Sequence, residues 1–199
     1  YNMIDTPGFF DFAGEVKEGL RAADSALIVL SGRSGVSVGT EQVYKYAVTK
    51  GVPIMFFVNK MDDDRANYTR TLEEMKEKFG KGVTPFVIPI REGDKFKGYV
   101  DIVDMTARRY EGIERIDIPV PDGMADEIAP LRDMIMEAVA ETDDALMNKY
   151  FNGEEFTFDE IKKAIRHGVK NGSIYPVYCG TGQENVGVMS LMDGIGKYL

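Results

Sequence analysis

Short apolar runs alternate along the chain with segments of helical spacing. Continuous apolar runs of this length are typical of buried strands in parallel sheets. They predict strands at residues 1–4, 25–31, 53–59 and 173–179. Helical spacing between and after them predicts helices at residues 15–23, about 40–50, about 67–79 and 186–198. This alternation favours a mostly parallel sheet covered by helices.

The ends of two predicted helices carry recognisable capping residues. Thr40 and Asn67 are the residue types that cap helix N-termini, because their side-chain oxygens accept backbone amides. Gly51 and Gly80 are predicted to end these helices, since glycine adopts the left-handed conformation without a steric penalty.

The pattern changes from about residue 84. Period-two alternation between Gly, Asp and Glu residues predicts a small antiparallel sheet from segments 86–90, 97–103, 107–111 and 115–119. Two helices should follow, at about 124–150 and 158–171, with Pro130 breaking or kinking the first. Thr157-x-x-Glu160 is a capping box that opens the second helix, and Gly172 ends it. We therefore predict an α/β core at 1–83 and 172–199, interrupted by an α+β subdomain at 84–171.

Composition narrows the possible partners and the compartment. The 33 acidic residues against 24 basic ones give a formal charge of −9, which argues against DNA as a partner. No apolar run reaches the roughly 18 residues that span a bilayer, so no membrane partner is expected. The single cysteine, Cys179, cannot form an internal disulfide and fits a cytoplasmic location.

Two polar stretches follow predicted strands and suggest nucleotide chemistry. In Asp5-Thr6-Pro7-Gly8, a carboxylate at a strand end can hold Mg²⁺ through water, and a glycine amide can approach a phosphate closely. In Asn59-Lys60-Met61-Asp62, the aspartate can accept two hydrogen bonds from the N1 and N2 donors of guanine. Both stretches also suit ordinary turns after strands.

A third stretch, Cys179-Gly180-Thr181-Gly182, follows the last predicted strand and could bring backbone amides to the guanine O6. Gly-Thr-Gly is nearly uninformative by itself. What favours function is that all three stretches follow the carboxyl ends of predicted strands, which is where open α/β sheets bind ligands.

These motifs resemble the GTP-binding domain of bacterial elongation factor G, and more closely its elongation factor G-like paralogues. The likeness runs through "NMIDTPGFFDF", "GVPIMFFVNKMD" and "YCGTGQENVGVMSLMDGIGKYL". It includes "TDDALMNKYFNGEEFTFDEIKKAIRHGV", which is similar to the helical part of the insert in that family's GTPase domain. The resemblance implies a P-loop NTPase-type GTPase sheet flanked by helices, with GTP or GDP and Mg²⁺ as ligands.

The resemblance also implies a role for each motif residue. Asp5 would contact Mg²⁺ through water, and the Gly8 amide would sense the γ-phosphate, with Thr6 and Pro7 completing that corner. The guanine-binding residues would be Asn59, Lys60, Asp62, Thr181 and Gly182. Two departures stand out: Thr181-Gly182 replaces the usual Ser-Ala pair, and Ser31 occupies a position where the family often has aspartate.

Phe9 occupies the position of the family's water-positioning histidine. Phenylalanine has no donor or acceptor, so it cannot orient water, and losing such a contact costs on the order of 10²–10³ in rate. Phe9 could equally be apolar packing in a loop. An aromatic residue at this position is typical of the elongation factor G-like branch, so slow hydrolysis or greater dependence on a partner is expected.

The family's phosphate-binding motif, G-x-x-x-x-G-K-[ST], does not occur in this sequence. That loop supplies the backbone cradle, the lysine and the Mg²⁺-binding hydroxyl. We therefore regard the sequence as a fragment and expect the 199-residue chain to bind GTP very weakly and to hydrolyse none. The family's first strand would lie between 1–4 and 25–31, so exposed strand edges could lead to self-association.

The predicted helix at 158–171 is basic within an acidic chain. Its cations are Lys162, Lys163, Arg166 and Lys170. They form either a solvated face or a docking surface for the acidic ribosomal stalk protein, which the family's insert contacts. His167, the only histidine, suits a surface position near a helix C-terminus, and with one distant cysteine it suggests no zinc site.

Taken with the resemblance, the sequence predicts the GTPase domain of a ribosome-associated elongation factor G-like protein that couples GTP hydrolysis to translocation. Ribosome-protection and release-factor relatives share the motifs but usually keep histidine at the Phe9 position. A ribosome-binding module with a regulatory or catalytically silent nucleotide site is the alternative from another functional class.

Overall fold

A computed structural model describes residues 1–8, 10–93, 95–112 and 114–199. Its strands are β1 Ala26–Ser31, β2 Ile54–Asn59, β3 Val83–Pro85, β4 Val87–Glu92, β5 Lys95–Asp101, β6 Thr106–Glu111, β7 Glu114–Ile118 and β8 Tyr175–Cys179. Its helices are α1 Ala13–Ala22, α2 Val38–Lys50, α3 Tyr68–Phe79, α4 Ala125–Ala140, α5 Asp144–Phe151, α6 Phe158–Asn171 and α7 Val188–Tyr198. Short 3₁₀ turns at Phe10–Phe12 and Asp122–Met124 precede α1 and α4.

The main sheet is parallel and has the order β1-β2-β8-β3. Strand β2 is buried along almost its whole length, as its continuous apolar run predicts. Strand β1 differs, because Leu27 and Val29 are 38% and 53% exposed while alternate residues are buried. One face of β1 therefore remains open to solvent.

The second sheet is antiparallel, with the order β4-β5-β6-β7, so the predicted small antiparallel sheet is confirmed. It is attached to the main sheet through buried contacts: the Tyr68 hydroxyl donates to the Val87 oxygen at 2.9 Å. The Phe86 amide also donates to the Val177 oxygen at 3.0 Å. The antiparallel sheet is therefore fixed in place beside β8 and α3.

Residues 1–4 were predicted as a strand, and this prediction is wrong. They have no regular structure, and Tyr1, Met3 and Ile4 are exposed. A strand needs a hydrogen-bonded neighbour. In the described part of the chain, β1 pairs only with β2.

One predicted helix start needs correction. Helix α2 is capped by Ser37, whose side chain accepts the Thr40 amide, while the Thr40 hydroxyl accepts the Ser37 amide. Thr40 is thus the N3 member of a capping box and not the cap. Asn67, Thr157 with Glu160, and the glycine stops lie as predicted.

Pro130 does not interrupt α4. The helix continues to Ala140, because the carbonyl that Pro130 leaves unpaired is on an exposed face that water can satisfy. The break comes at residues 141–143, where Asp143 caps α5 by accepting the Ala145 amide at 2.8 Å. Among the described residues, no helix is both long enough and apolar enough to cross a membrane.

Candidate nucleotide-binding site

Three loops meet beyond the carboxyl ends of β1, β2 and β8, which are neighbours in the sheet. The loop after β1 meets the end of β2 where the Gly32 amide donates to the backbone oxygen of Asn59 at 2.8 Å. The loop after β2 meets the loop after β8 where the Met61 amide donates to the Gly180 oxygen at 3.1 Å. Open α/β sheets bind ligands at this edge.

Asn59 links two of these loops through its side chain. Its Oδ1 accepts the amide of Lys60 at 2.8 Å and the amide of Gly182 at 2.9 Å. The resemblance assigns the Gly182 amide to the base, whereas here that amide is already bonded to Asn59. The structure therefore brings Asn59, Lys60 and Gly182 together.

Lys60 and Asp62 stand on the outer side of the same turn. Lys60 has a φ of 61°, a left-handed conformation that is costly for a residue with a side chain and is concentrated at functional sites. Asp62 is exposed, and within the described residues its carboxylate has no hydrogen bond or ion pair. This leaves a carboxylate acceptor available to a ligand.

Thr181 lies beneath the third loop. It is 1% exposed, and its Oγ1 has no hydrogen-bond partner among the described residues. Its backbone is fixed, since it exchanges two hydrogen bonds with Val186 across the exposed tip at 182–185. Only Gly182 of the Thr-Gly pair is therefore exposed at the tip of the loop.

Two arginines surround the acidic residue beside Asp62. Hydrogen bonding from the Arg65 backbone amide, then the Arg65 side chain, lowers the pKa of Asp63 to about 2. The Arg33 guanidinium lies 3.4 Å from the same carboxylate. Asp63 is therefore ionised and structurally engaged, which leaves Asp62 as the available acceptor.

The Asp5–Gly8 stretch contacts α1 and the first turn of α2. Thr6 packs against α1 beside Gly19, and the Gly8 oxygen lies near Gly39 in the first turn of α2. Within the described ranges, no hydrogen bond or ion pair joins residues 5–8 to the loops after β2 and β8. Phe9 lies outside the described residues.

A magnesium site is not formed by the residues that the structure describes. They contain no group of three or more His, Cys, Asp or Glu side chains placed to hold a metal. Asp5 is exposed and stands alone in this respect. A single carboxylate such as Asp5 could hold Mg²⁺ only through water and together with other ligands.

The lone cysteine and histidine are not part of the site. Cys179 is fully buried, and burial raises the pKa of its thiol, so it is an inert core residue. His167 is exposed on α6.

The motifs do not reveal two further contributors. The loop after β1 is held by Glu74 of α3, whose Oε2 accepts the Val36 amide at 3.0 Å. Arg91 of β4 also reaches the loop after β2. The glycine at position 35, which has a φ of 69° in the structure, hints in the sequence at a turn near the Glu74 contact. Nothing in the sequence indicates the contact of Arg91.

A parallel sheet whose polar loops converge at its carboxyl edge, with an antiparallel sheet inserted before the last strand, defines a nucleotide-binding α/β domain. The Elongation factor Tu GTP binding domain family matches residues 1–199, and the chain belongs to this family. It is a GTP-binding domain of the translation-factor GTPases, so the predicted family and fold class are confirmed.

A crystal structure of a protein from Thermus thermophilus has a similar fold. The TM-score is 0.91 with 36% sequence identity, over 98% of this chain. The chain spans 29% of the length of that protein.

Proposed function

We propose that the full-length protein carrying this domain is an elongation factor G-like translation factor that binds GTP in the cytoplasm. It couples GTP hydrolysis to translocation on the ribosome. The observation that carries the proposal is the hydrogen bond from the Gly182 amide to Asn59 Oδ1, because it joins the two loops of the purine subsite. Family membership supports the nucleotide, and the motif resemblance supports the translocation role.

Asp62 is the residue that selects guanine in this proposal. Its exposed carboxylate can accept hydrogen bonds from N1–H and the exocyclic amine of guanine, which adenine cannot offer. The Lys60 stem lies along the base, and Asn59 holds the loops. Thr181 supports the loop from below.

The test is Asp62→Asn in the full-length protein. An asparagine NH₂ opposite the guanine donors leaves polar groups unpaired, and such mismatches cost up to roughly 10⁴–10⁵ in discrimination. We expect GDP binding to fall and xanthosine diphosphate binding to rise. Asp64→Asn is the matched control, because Asp64 is exposed in the same loop and its carboxylate lies 3.6 Å from the Arg65 guanidinium. Unchanged preference for guanine in Asp62→Asn would overturn the proposal.

The phosphate end of the site belongs to Asp5, Thr6, Pro7 and Gly8 in this proposal, with Mg²⁺ held through water on Asp5. The 199-residue sequence contains no G-x-x-x-x-G-K-[ST] loop to complete it. We expect this chain alone to bind GTP very weakly and to hydrolyse none. Micromolar affinity in calorimetry on the chain would contradict this expectation.

One sequence feature favours a second candidate, a ribosome-binding module with a silent or regulatory nucleotide site. Phe9 supplies no polar group where the family's histidine acts. Multiple-turnover GTP hydrolysis by the full-length protein on ribosomes distinguishes the two, since the silent module gives none above the ribosome background.

A partner surface is proposed on α6 and the end of α5. Lys163, Arg166 and Lys170 are exposed, and the Lys162 ammonium lies 3.9 Å above the ring of Phe158. Phe151 nearby is 78% exposed. Cations next to exposed aromatic rings suit an acidic protein segment, and we propose the acidic stalk protein of the ribosome.

Self-association is a separate proposal that concerns the 199-residue chain. β1 is at the edge of the main sheet, and strand edges without a partner pair readily with other chains. Its open face also exposes the apolar side chains of Leu27 and Val29. Sedimentation of the chain over a range of concentrations tests this.

A further inference from the structure

Arg91 connects the antiparallel sheet to the loop that follows β2. Its Nη1 lies 3.4 Å from the Met61 oxygen and 3.4 Å from the Ala66 oxygen. We propose that Arg91 is a positioning residue for base recognition, which holds this loop in the shape that presents Asp62. The inference rests on the proposed guanine-reading role of Asn59, Lys60 and Asp62.

Backbone bonds to other loops already anchor this loop at its two ends: the Met61 amide donates to the Gly180 oxygen at 3.1 Å, and the Asn67 amide donates to the Gly32 oxygen at 2.9 Å. The side chain of Met61, at the start of the loop, is buried. Two short turns follow: the Asp63 amide donates to the Lys60 oxygen, and the Ala66 amide donates to the Asp63 oxygen. Each turn bonds residues within the loop to one another. Arg91 contacts the first and the last carbonyl of residues 61–66, so one guanidinium nitrogen bridges the two ends of the loop directly and adds to the backbone bonds that hold each end.

The position of Arg91 is set by an irregularity in the antiparallel sheet. The register of β4 on β5 shifts after Ile90, because Ile90 pairs with Gly98 whereas Arg91 pairs with Phe96. Such shifts increase the local twist and redirect side chains. The end of β4 thereby departs from regular pairing at the residue that contacts the loop.

The other end of β4 is firmly seated on the core. Val87 is buried, and its oxygen accepts the Tyr68 hydroxyl at 2.9 Å. Tyr68 is the first residue of α3, the helix that follows the loop. The loop and β4 are therefore both attached to the start of α3. Arg91 therefore acts from a support that does not move independently of the loop.

The chemistry of the contact favours arginine over lysine. A guanidinium is always charged and offers several fixed N–H donors, so it can bridge two carbonyls, whereas lysine acts as a point charge. Both distances are at the long end of the hydrogen-bond range, and Arg91 lines a cleft of about 370 Å³. We expect a modest effect, about three- to tenfold in affinity.

A purely structural role makes a different prediction from a positioning role. If Arg91 only stabilises the fold, its loss weakens binding of every purine nucleotide by the same factor. If it positions Asp62, the loss falls mainly on nucleotides that carry the exocyclic amine of guanine. The ratio of GDP to inosine diphosphate affinity separates these cases, because inosine lacks that amine.

The experiment compares Arg91→Met and Arg91→Lys in the full-length protein, with Arg109→Met as the matched control. Arg109 lies on the same sheet and pairs with Glu92. We expect Arg91→Met to lower the ratio about three- to tenfold and to speed amide exchange at residues 62–66. Arg91→Lys should restore part of the ratio, and Arg109→Met should leave it unchanged.

A wild-type ratio and wild-type exchange in Arg91→Met would overturn the inference. If Arg91→Met does not fold, the same two measurements are made on Arg91→Lys. A lowered ratio and faster exchange in that variant support the inference, and wild-type values overturn it. Asp62→Asn is measured alongside: if it removes guanine preference while the Arg91 variants do not, only the inference fails. If Asp62→Asn has no effect, the proposed guanine site itself fails.

Discussion

Asn59 Oδ1 accepts the backbone amide of Gly182 at 2.9 Å, across 123 positions of sequence. The same oxygen accepts the Lys60 amide, so one side chain holds a strained residue and a distant loop at once. This side chain at the end of β2 therefore reinforces the backbone bond from Met61 to Gly180 in holding the two loops together.

Replacing Asn59 with alanine should loosen the link between the two loops, leaving the backbone bond from Met61 to Gly180 to join them. Two backbone amides lose their acceptor, and the loss of such bonds typically costs about 1–3 kcal/mol. We expect a drop of that size in the free energy of unfolding of the 199-residue chain, measured by urea denaturation. In the full-length protein, GDP affinity should fall as well.

Asn171→Ala is the control for that change. Asn171 Oδ1 accepts the Ser173 amide at 2.9 Å in an exposed turn away from the site. Its loss should cost about 0.5 kcal/mol and leave nucleotide binding intact. Equal effects of the two variants on GDP affinity would mean that Asn59 has no special role.

Of two glycines in the loop after β8, only one should lose stability when it is replaced by alanine. A Cβ at Gly180 would press on the Val186 backbone oxygen and lie 2.9 Å from the Phe57 ring. Overpacking of this kind costs about 1–3 kcal/mol. A Cβ at Gly182 would lie 3.7 Å from the Asn59 amide group, an ordinary contact.

Thermal unfolding of Gly180→Ala and Gly182→Ala tests this contrast, with the second serving as the control for the first. We expect a lower Tm for Gly180→Ala only. A clear loss of stability in Gly182→Ala would show that the loop is tighter than the structure indicates.

Asp101 should make stability depend on pH between about 4 and 6. Burial, and then the nearby Asp104 carboxylate, raise the pKa of Asp101 to about 6 from 3.8, against the backbone amides that it accepts. The folded state therefore binds a proton more readily than the unfolded state. Stability should fall as pH rises through this window, by on the order of 2 kcal/mol given the partial exposure of the residue.

Asp101→Asn should flatten that slope and be more stable than the wild type at pH 7, because an amide keeps an acceptor without the buried charge. Urea denaturation at several pH values between about 4.5 and 7 provides the measurement. Glu160, whose pKa a hydrogen bond from Lys149 lowers to about 2, acts in a more acidic range and in the opposite direction. A slope unchanged in Asp101→Asn would rule out this residue as the cause.

Phe9→His should raise ribosome-stimulated GTP turnover of the full-length protein. A polar group returned to that position can orient water, and contacts of this type are worth on the order of 10²–10³ in rate. Phe10→His is the neighbouring control and should give no gain. If Phe9→His also gives none, the aromatic residue is not what limits hydrolysis.

Local signals explain which elements the sequence could predict. Asn67 and the pair Thr157 and Glu160 act within one helical turn of themselves, so their side chains identify the helix starts without tertiary information. The same reasoning misplaced the start of α2, because Ser37 and Thr40 are both good caps and only their mutual bonding distinguishes them.

Features that depend on distant partners could not be predicted in this way. Residues 1–4 are apolar enough for a strand, but strand formation is decided by a neighbour. The contact of Arg91 with Met61 and Ala66 joins segments that no motif relates. The motif loops converge because the sheet order places β2 beside β8.

The short strand β3 pairs with β8 at Val83↔Tyr175, immediately before the chain leaves for the antiparallel sheet. Departure and return are therefore held side by side by one ladder, whatever lies between Pro85 and Tyr175. The entropic cost of closing a loop grows only logarithmically with its length. Inserted segments of very different length could thus be accommodated between β3 and β8 while the pairing of these two strands stays the same.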